Sequence, residues 1–158
     1  MSQSTSPATG TLIAIQRAGS KGQPLQTVAE AELVAGQGLR GDRYFGAPGV
    51  VSLIESEAIA TFNADHGTEV AAAATRRCLV TEGIRLNPLV GKTFWLGSIE
   101  LKGMELCDPC AQLGQDLATE GVSPAQVVRG FAESGGLRAY VLSSGVVKPG
   151  AVISTTAP

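Results

Sequence analysis

The chain has 158 residues, 44% of them apolar and 16% charged, the balance of one globular domain rather than a disordered segment. Its formal net charge of −2, with no Lys/Arg cluster interleaved with aromatics, argues against nucleic acid as a partner. No apolar run approaches the roughly 20 residues that span a bilayer, so no membrane association is expected.

Residues 1–10 are polar and Ser/Thr-rich and read as a mobile tail ahead of a single domain over 11–158. The tail lacks the positive start and apolar stretch of a secretory signal. Three cysteines leave one over in any pairing, so a reducing cytoplasm is the expected compartment. Residues 11–18 read as a mostly buried strand, and Gly19 to Pro24 carries turn chemistry. The alternation over 26–35 predicts a second strand returning as a hairpin. Residues 36–49 hold five glycines and read as a long functional loop, followed by a short buried strand over 50–54.

The spacing of Ile59 and Phe62, with acidic residues at the start and Gly67 at the end, predicts a helix over 55–66. Its His66 reads as a capping side chain complementing the helix dipole. Further strands are expected at 78–81, 93–96 and 98–107, punctuated by Gly91, Gly97 and Gly103. Ser123-Pro124 is an N-cap followed by proline at the first helical position, and Gly135-Gly136 closes that helix. Strands at 137–142 and 151–154 complete the chain. Many short strands and few helices predict a mainly β fold, a closed or nearly closed barrel with two or three peripheral helices.

Leu106-Cys107-Asp108-Pro109-Cys110 is the most chemical-looking segment. Its Cys-x-x-Cys admits four readings. It is half of a zinc site, although zinc needs about four ligands and only Cys78 and His66 remain as soft candidates. It is a redox dithiol, although the flanking βαβ pattern is missing. It is a pair of buried thiols without a chemical role. Or one activated thiolate binds a soft metal or carries sulfur.

Gly38-Leu39-Arg40-Gly41-Asp42-Arg43 combines backbone freedom with guanidinium groups. Such a loop suits an anion gripped by Arg43, or equally a surface turn in which Asp42 pairs with a neighbouring arginine. Arg76-Arg77 supplies a second cation pair just ahead of a strand. Two separate arginine loops in an acidic chain suit a small anionic ligand better than a polymer.

Taken in order, Gly38-Leu39-Arg40-Gly41-Asp42-Arg43, Arg76-Arg77, Thr81-Glu82-Gly83-Ile84, Leu86-Asn87-Pro88-Leu89-Val90-Gly91, Leu106-Cys107-Asp108-Pro109-Cys110 and Gly135-Gly136-Leu137-Arg138 resemble the MOSC (molybdenum-cofactor sulfurase C-terminal) domain family. The resemblance runs from about Ile13 to Ile153. It implies a β-barrel and a link to molybdenum cofactor (molybdopterin). Some members ligate molybdenum through a cysteine thiolate in reduction of N-hydroxylated small substrates, with electrons from a partner protein. Others are proposed to accept persulfide sulfur from a pyridoxal-phosphate-dependent cysteine desulfurase.

Carried over, the resemblance makes Cys110 the metal-ligating or sulfur-carrying residue and Cys107 its neighbour in the chemistry. It places Arg43 and Arg76, with Arg77 and Asp42, around the pterin phosphate. The chain departs from the family at Cys78, where asparagine is common, which removes a donor and an acceptor. Ala18-Gly19 also stands where eukaryotic members place a Lys-Ser phosphate contact. With neither a desulfurase nor a ferredoxin-like domain in view, a complete reaction is expected to need a separate electron-transfer protein or desulfurase. A non-catalytic module binding a small anion is the third reading.

Overall fold

The structure, a computed structural model, describes residues 8–107 and 111–158. Cys110, with Asp108 and Pro109, lies outside the described residues.

Seven strands close into a ring. β1 (Thr9–Arg17) pairs on one edge with β6 (Leu79–Glu82) and on the other with β11 (Val152–Ser154). From β11 the ring continues through β7 (Thr93–Leu96), β8 (Ile99–Leu106), β9 (Leu137–Val141) and β5 (Val50–Glu55), and back to β6. The barrel expected from the short, glycine-punctuated strands is thus present, and closure leaves no free edge around the ring. Within it, β5 and β6 pair in parallel, with Leu53 opposite Leu79. That pairing requires a crossover, which α1 (Ser56–His66) begins.

β5 and β6 explain why the sequence runs apolar without alternating there. Leu53 and Leu79 face the barrel interior beside Leu12, Phe94, Leu101 and Leu137. Their neighbours Ile54 and Val80 face outward, into a second core with Ile59, Phe62, Val127 and Phe131. Successive strand residues point to opposite faces, and here both faces are covered. The outer core is held by α1, α2 (Ala111–Leu117) and α3 (Pro124–Gly130), where Phe62 and Phe131 stack with centroids 4.7 Å apart. Ser123 caps α3 in a full capping box with Gln126.

Three expectations need correction. The strand foreseen over 26–35 is two strands: β2 (Gln26–Val28) pairs with β1 as the hairpin reading required. β3 (Ala31–Val34) instead joins a separate sheet with β4 (Gly38–Leu39) and β10 (Gly145–Val147), so the chain changes sheets between them. The second foreseen helix ends at Gly130, five residues before Gly135, because Phe131 leaves the helix to fill the outer core. The first strand starts at Thr9 rather than Thr11, drawn out by its ladder to β11. Among the described residues no helix is long and apolar enough to cross a membrane.

Candidate functional site

One end of the barrel opens into a cavity of about 590 Å³ whose wall includes Asp42, Arg43, Arg76, Arg77, Cys78, Cys107 and Arg138. Every sequence-predicted site residue that the structure describes lines this cavity.

The glycine-rich loop reaches it through Gly41, at φ 84°, where a Cβ would press within 3.2 Å of the Arg17 guanidinium. Only glycine adopts this left-handed turn without cost. The turn buries Asp42. Its Oδ1 accepts the Ala18 N–H (3.2 Å) and Arg43 Nη1 (2.9 Å), while Oδ2 accepts the Tyr44 N–H (3.2 Å). Both side chains of the Asp42–Arg43 pair are only 5% exposed. The surface-turn reading of this dipeptide is therefore overturned: the pair exists, but as a buried strut between the end of β1 and the loop. Arg43 also donates Nη2 to the Arg76 carbonyl (3.2 Å).

Arg76 holds φ 65°, a left-handed conformation uncommon for a residue with a side chain. It follows a 3-10 turn (Ala72–Thr75), and its Nη1 donates to the Gln23 carbonyl at 2.7 Å. Arg77 donates Nε to the Gly135 carbonyl (2.8 Å) and Nη1 to the Thr75 carbonyl (3.1 Å). The glycine pair therefore does more than end a helix. A Cβ on Gly135 would collide with the Cys107 carbonyl, and the Gly136 carbonyl accepts the Cys107 N–H at 2.8 Å. These two glycines bring the end of β8 against the arginine turn.

Cys107 is 3% exposed and sits in the cavity wall. Cys78 is equally buried, and its thiol is pushed up to about 11, chiefly by burial and then by the Asp42 charge, against the opposing pull of Arg43 and Ser52. Cys78 is thus a neutral thiol at physiological pH and a poor nucleophile.

Sequence reasoning did not single out two further wall residues. Arg138, on β9, donates Nη1 to Glu105 (2.8 Å), and its proton is held more tightly by that bond and by the nearby Cys107. A β-bulge between Gly103 and Glu105 turns Met104 and Glu105 to the cavity, as bulges do at barrel rims. Tyr44 is 59% exposed, with the Arg43 guanidinium 4.7 Å from its ring centre. Arg138 carried a signal only inside the Gly-Gly-Leu-Arg mark. Tyr44 carried none.

Four guanidinium groups against two carboxylates give this cavity a positive field in an otherwise acidic protein. A concave, low-dielectric wall focuses such a field on a small anion.

The family model described as MOSC domain matches residues 40–154. The chain belongs to the MOSC domain family. Among solved structures it is similar to the YuaD protein of Bacillus subtilis, with a TM-score of 0.83 at 18% identity, covering 94% of this chain and 96% of that one. It is also similar to YiiM from Geobacillus stearothermophilus (TM-score 0.71, 17% identity, 93% and 75% covered). YiiM from Escherichia coli aligns with a TM-score of 0.63 at 18% identity, over 96% and 70% of the two chains. At these identities the likeness speaks for the fold. No curated protein matches the chain. Asp42, Arg43, Arg76, Arg77, Cys107 and Arg138 all fall within the matched span.

Proposed function

We propose that this MOSC protein binds molybdenum cofactor in the four-arginine cavity, with the Cys110 thiolate as the protein's ligand to the metal. The observation that carries the reading is the convergence of Arg43, Arg76, Arg77 and Arg138 on one pocket, with Cys110 three residues beyond its wall residue Cys107.

The donor set fits such a group. The cavity volume of about 590 Å³ lies within the range of about 300–1,000 Å³ usual for small-molecule and cofactor sites. Guanidinium groups match phosphate oxygens in charge and fork geometry. Among the described residues there is no cluster of three or more His, Cys, Asp or Glu that would hold a bare metal ion. A cofactor that brings its own metal ligands needs only one thiolate from the protein.

The residues then divide the work. Arg77 and Arg138 hold the phosphate and the pterin edge, and Arg76 stands in the wall between this cavity and its neighbour. Arg43 and Asp42 set the position of Arg76 through its carbonyl and brace the loop. Cys107 packs in the wall, its N–H held by the Gly136 carbonyl. When bound, the cofactor supplies a centre that exchanges electrons with a small substrate such as an N-hydroxylated compound. A partner electron-transfer protein replenishes the electrons, in the cytoplasm.

The test is the pterin content of protein purified from a host that makes the cofactor, read as the fluorescence of the oxidised pterin released on denaturation. Near-stoichiometric pterin in the wild type, and a loss of ten-fold or more in Arg77→Gln and Arg138→Gln, is expected. Pterin absent from the wild type would overturn the reading and leave the sulfur-carrier role, in which Cys110 takes persulfide sulfur from a cysteine desulfurase.

A further inference from the structure

A second cavity of about 790 Å³ adjoins the first across a shared wall of Arg43, Tyr44 and Arg76. Its far side is the turn carrying Lys21, and its floor is Ala71, Ala73 and Ala74. The two sides are pinned to each other, because Arg76 donates from the alanine turn to the Gln23 carbonyl in the Lys21 turn at 2.7 Å. The left-handed conformation at Arg76 makes this possible, turning the chain so that its carbonyl meets Arg43 and its side chain crosses the gap.

The chemistry of the lining is mixed in a specific way. Tyr44 presents an exposed ring with Lys21 Nζ 5.5 Å from its centre and the Arg43 guanidinium at 4.7 Å. These cation–π contacts fix the plane of the ring at the cavity wall. The alanine side chains, with Pro24 and Leu25, offer apolar surface with no hydrogen-bonding demand. Lys21 and Arg76 then supply the positive charge, with Asp116 the one carboxylate in the lining, so the cations outnumber it.

We propose that this second cavity is the substrate subsite, and that it takes organic anions with a flat apolar body, an aryl carboxylate being the simplest class. The body stacks on Tyr44 over the alanine floor, and the carboxylate lies between Lys21 and Arg76. The subsite's role as a substrate site rests on the cofactor reading of the neighbouring cavity, whereas its binding preference does not. A neutral or cationic aryl compound leaves Lys21 and Arg76 without a partner, and sites built for a polar group discriminate strongly against ligands lacking it.

Calorimetric titration with 2-naphthoate and 2-naphthamide tests the proposal, since the two probes share a ring and differ in charge. The carboxylate is expected to bind at least ten-fold more tightly than the amide. Lys21→Gln, at an exposed turn position, is expected to cut that preference at least three-fold, Arg76 remaining, and to change amide binding less than carboxylate binding. Tyr44→Ala is expected to weaken both probes. Equal affinities for the two probes, or an undiminished preference in Lys21→Gln, would overturn it. The molybdenum content of Lys21→Gln separates this proposal from the cofactor reading. Content equal to wild type supports a distinct subsite, whereas its loss puts Lys21 in the cofactor cavity and overturns the assignment. Naphthoate binding that depends on Lys21, in a wild type devoid of molybdenum, upholds the subsite while the cofactor reading fails.

Discussion

Asp42→Asn isolates the strut on which the arginine cavity stands. The carboxylate serves two backbone N–H groups and the Arg43 guanidinium at 2.9–3.2 Å, and both charged side chains are only 5% exposed. The amide keeps one acceptor oxygen but carries no charge, so Arg43 is left buried without its counter-ion. Breaking a buried pair in this way costs about 3–5 kcal/mol, which for a chain of this size lowers Tm by about 6–20 °C. The exposed pair of Arg40 and Glu32, with side chains 56% and 44% exposed, is the internal control. Glu32→Gln should cost less than about 1 kcal/mol, because solvent already screens that pair. Denaturant titration with a common m-value gives both numbers. A second readout follows from Cys78, whose thiol the Asp42 charge helps to push up. In Asp42→Asn the midpoint of its alkylation profile should fall below the native value of about 11. A cost for Asp42→Asn as small as that of Glu32→Gln, with no change at Cys78, would refute the buried-strut account.

Three other outcomes are expected. Cys78 keeps its proton in the folded protein until about pH 11, whereas the unfolded chain loses it near 9, so stability is full below pH 9 and falls as pH rises through that window. The loss amounts to about 3 kcal/mol by linkage, and urea titrations at pH 8 and pH 11 should show it shrinking by that amount in Cys78→Ala. Phe94→Ala, at a fully buried position in the barrel interior, should cost about 3–5 kcal/mol by calorimetry, from lost transfer energy plus the cavity left behind. Glu105→Gln frees Arg138 from a pair in which both side chains are half exposed, so thermal melts should show stability changing by less than about 1 kcal/mol.

The barrel was legible because its strands are short and bounded by glycine, and because β5 and β6 run apolar where both faces are covered. Partner choice was not. The apparent alternation over 26–35 is real only in β3, where Ala31 and Leu33 face inward, whereas β2 is exposed to half-buried, and the two strands pair in different sheets. Helix α2 was hidden by Gly114, which reads as a helix breaker. Its lack of a side chain is a packing requirement, since a Cβ there would come within 2.8 Å of the Pro124 carbonyl. At the site the residue types were visible and their burial was not. An Asp-Arg dipeptide in a glycine loop has the same letters whether it lies on the surface or, as here, under it. Tyr44 reaches the cavity through the path of its loop, which leaves no local mark, and Arg138 showed only as the end of the Gly135-Gly136-Leu137-Arg138 mark, its place in the wall being set by strand register.

Molybdenum per chain, measured by elemental analysis on wild type and Cys110→Ala made side by side in a cofactor-competent host, tests the central claim most directly. Close to one atom per chain in the wild type, falling below a tenth in the variant with the fold intact by circular dichroism, is the predicted result. Equal molybdenum in the two proteins, or none in either, would contradict it.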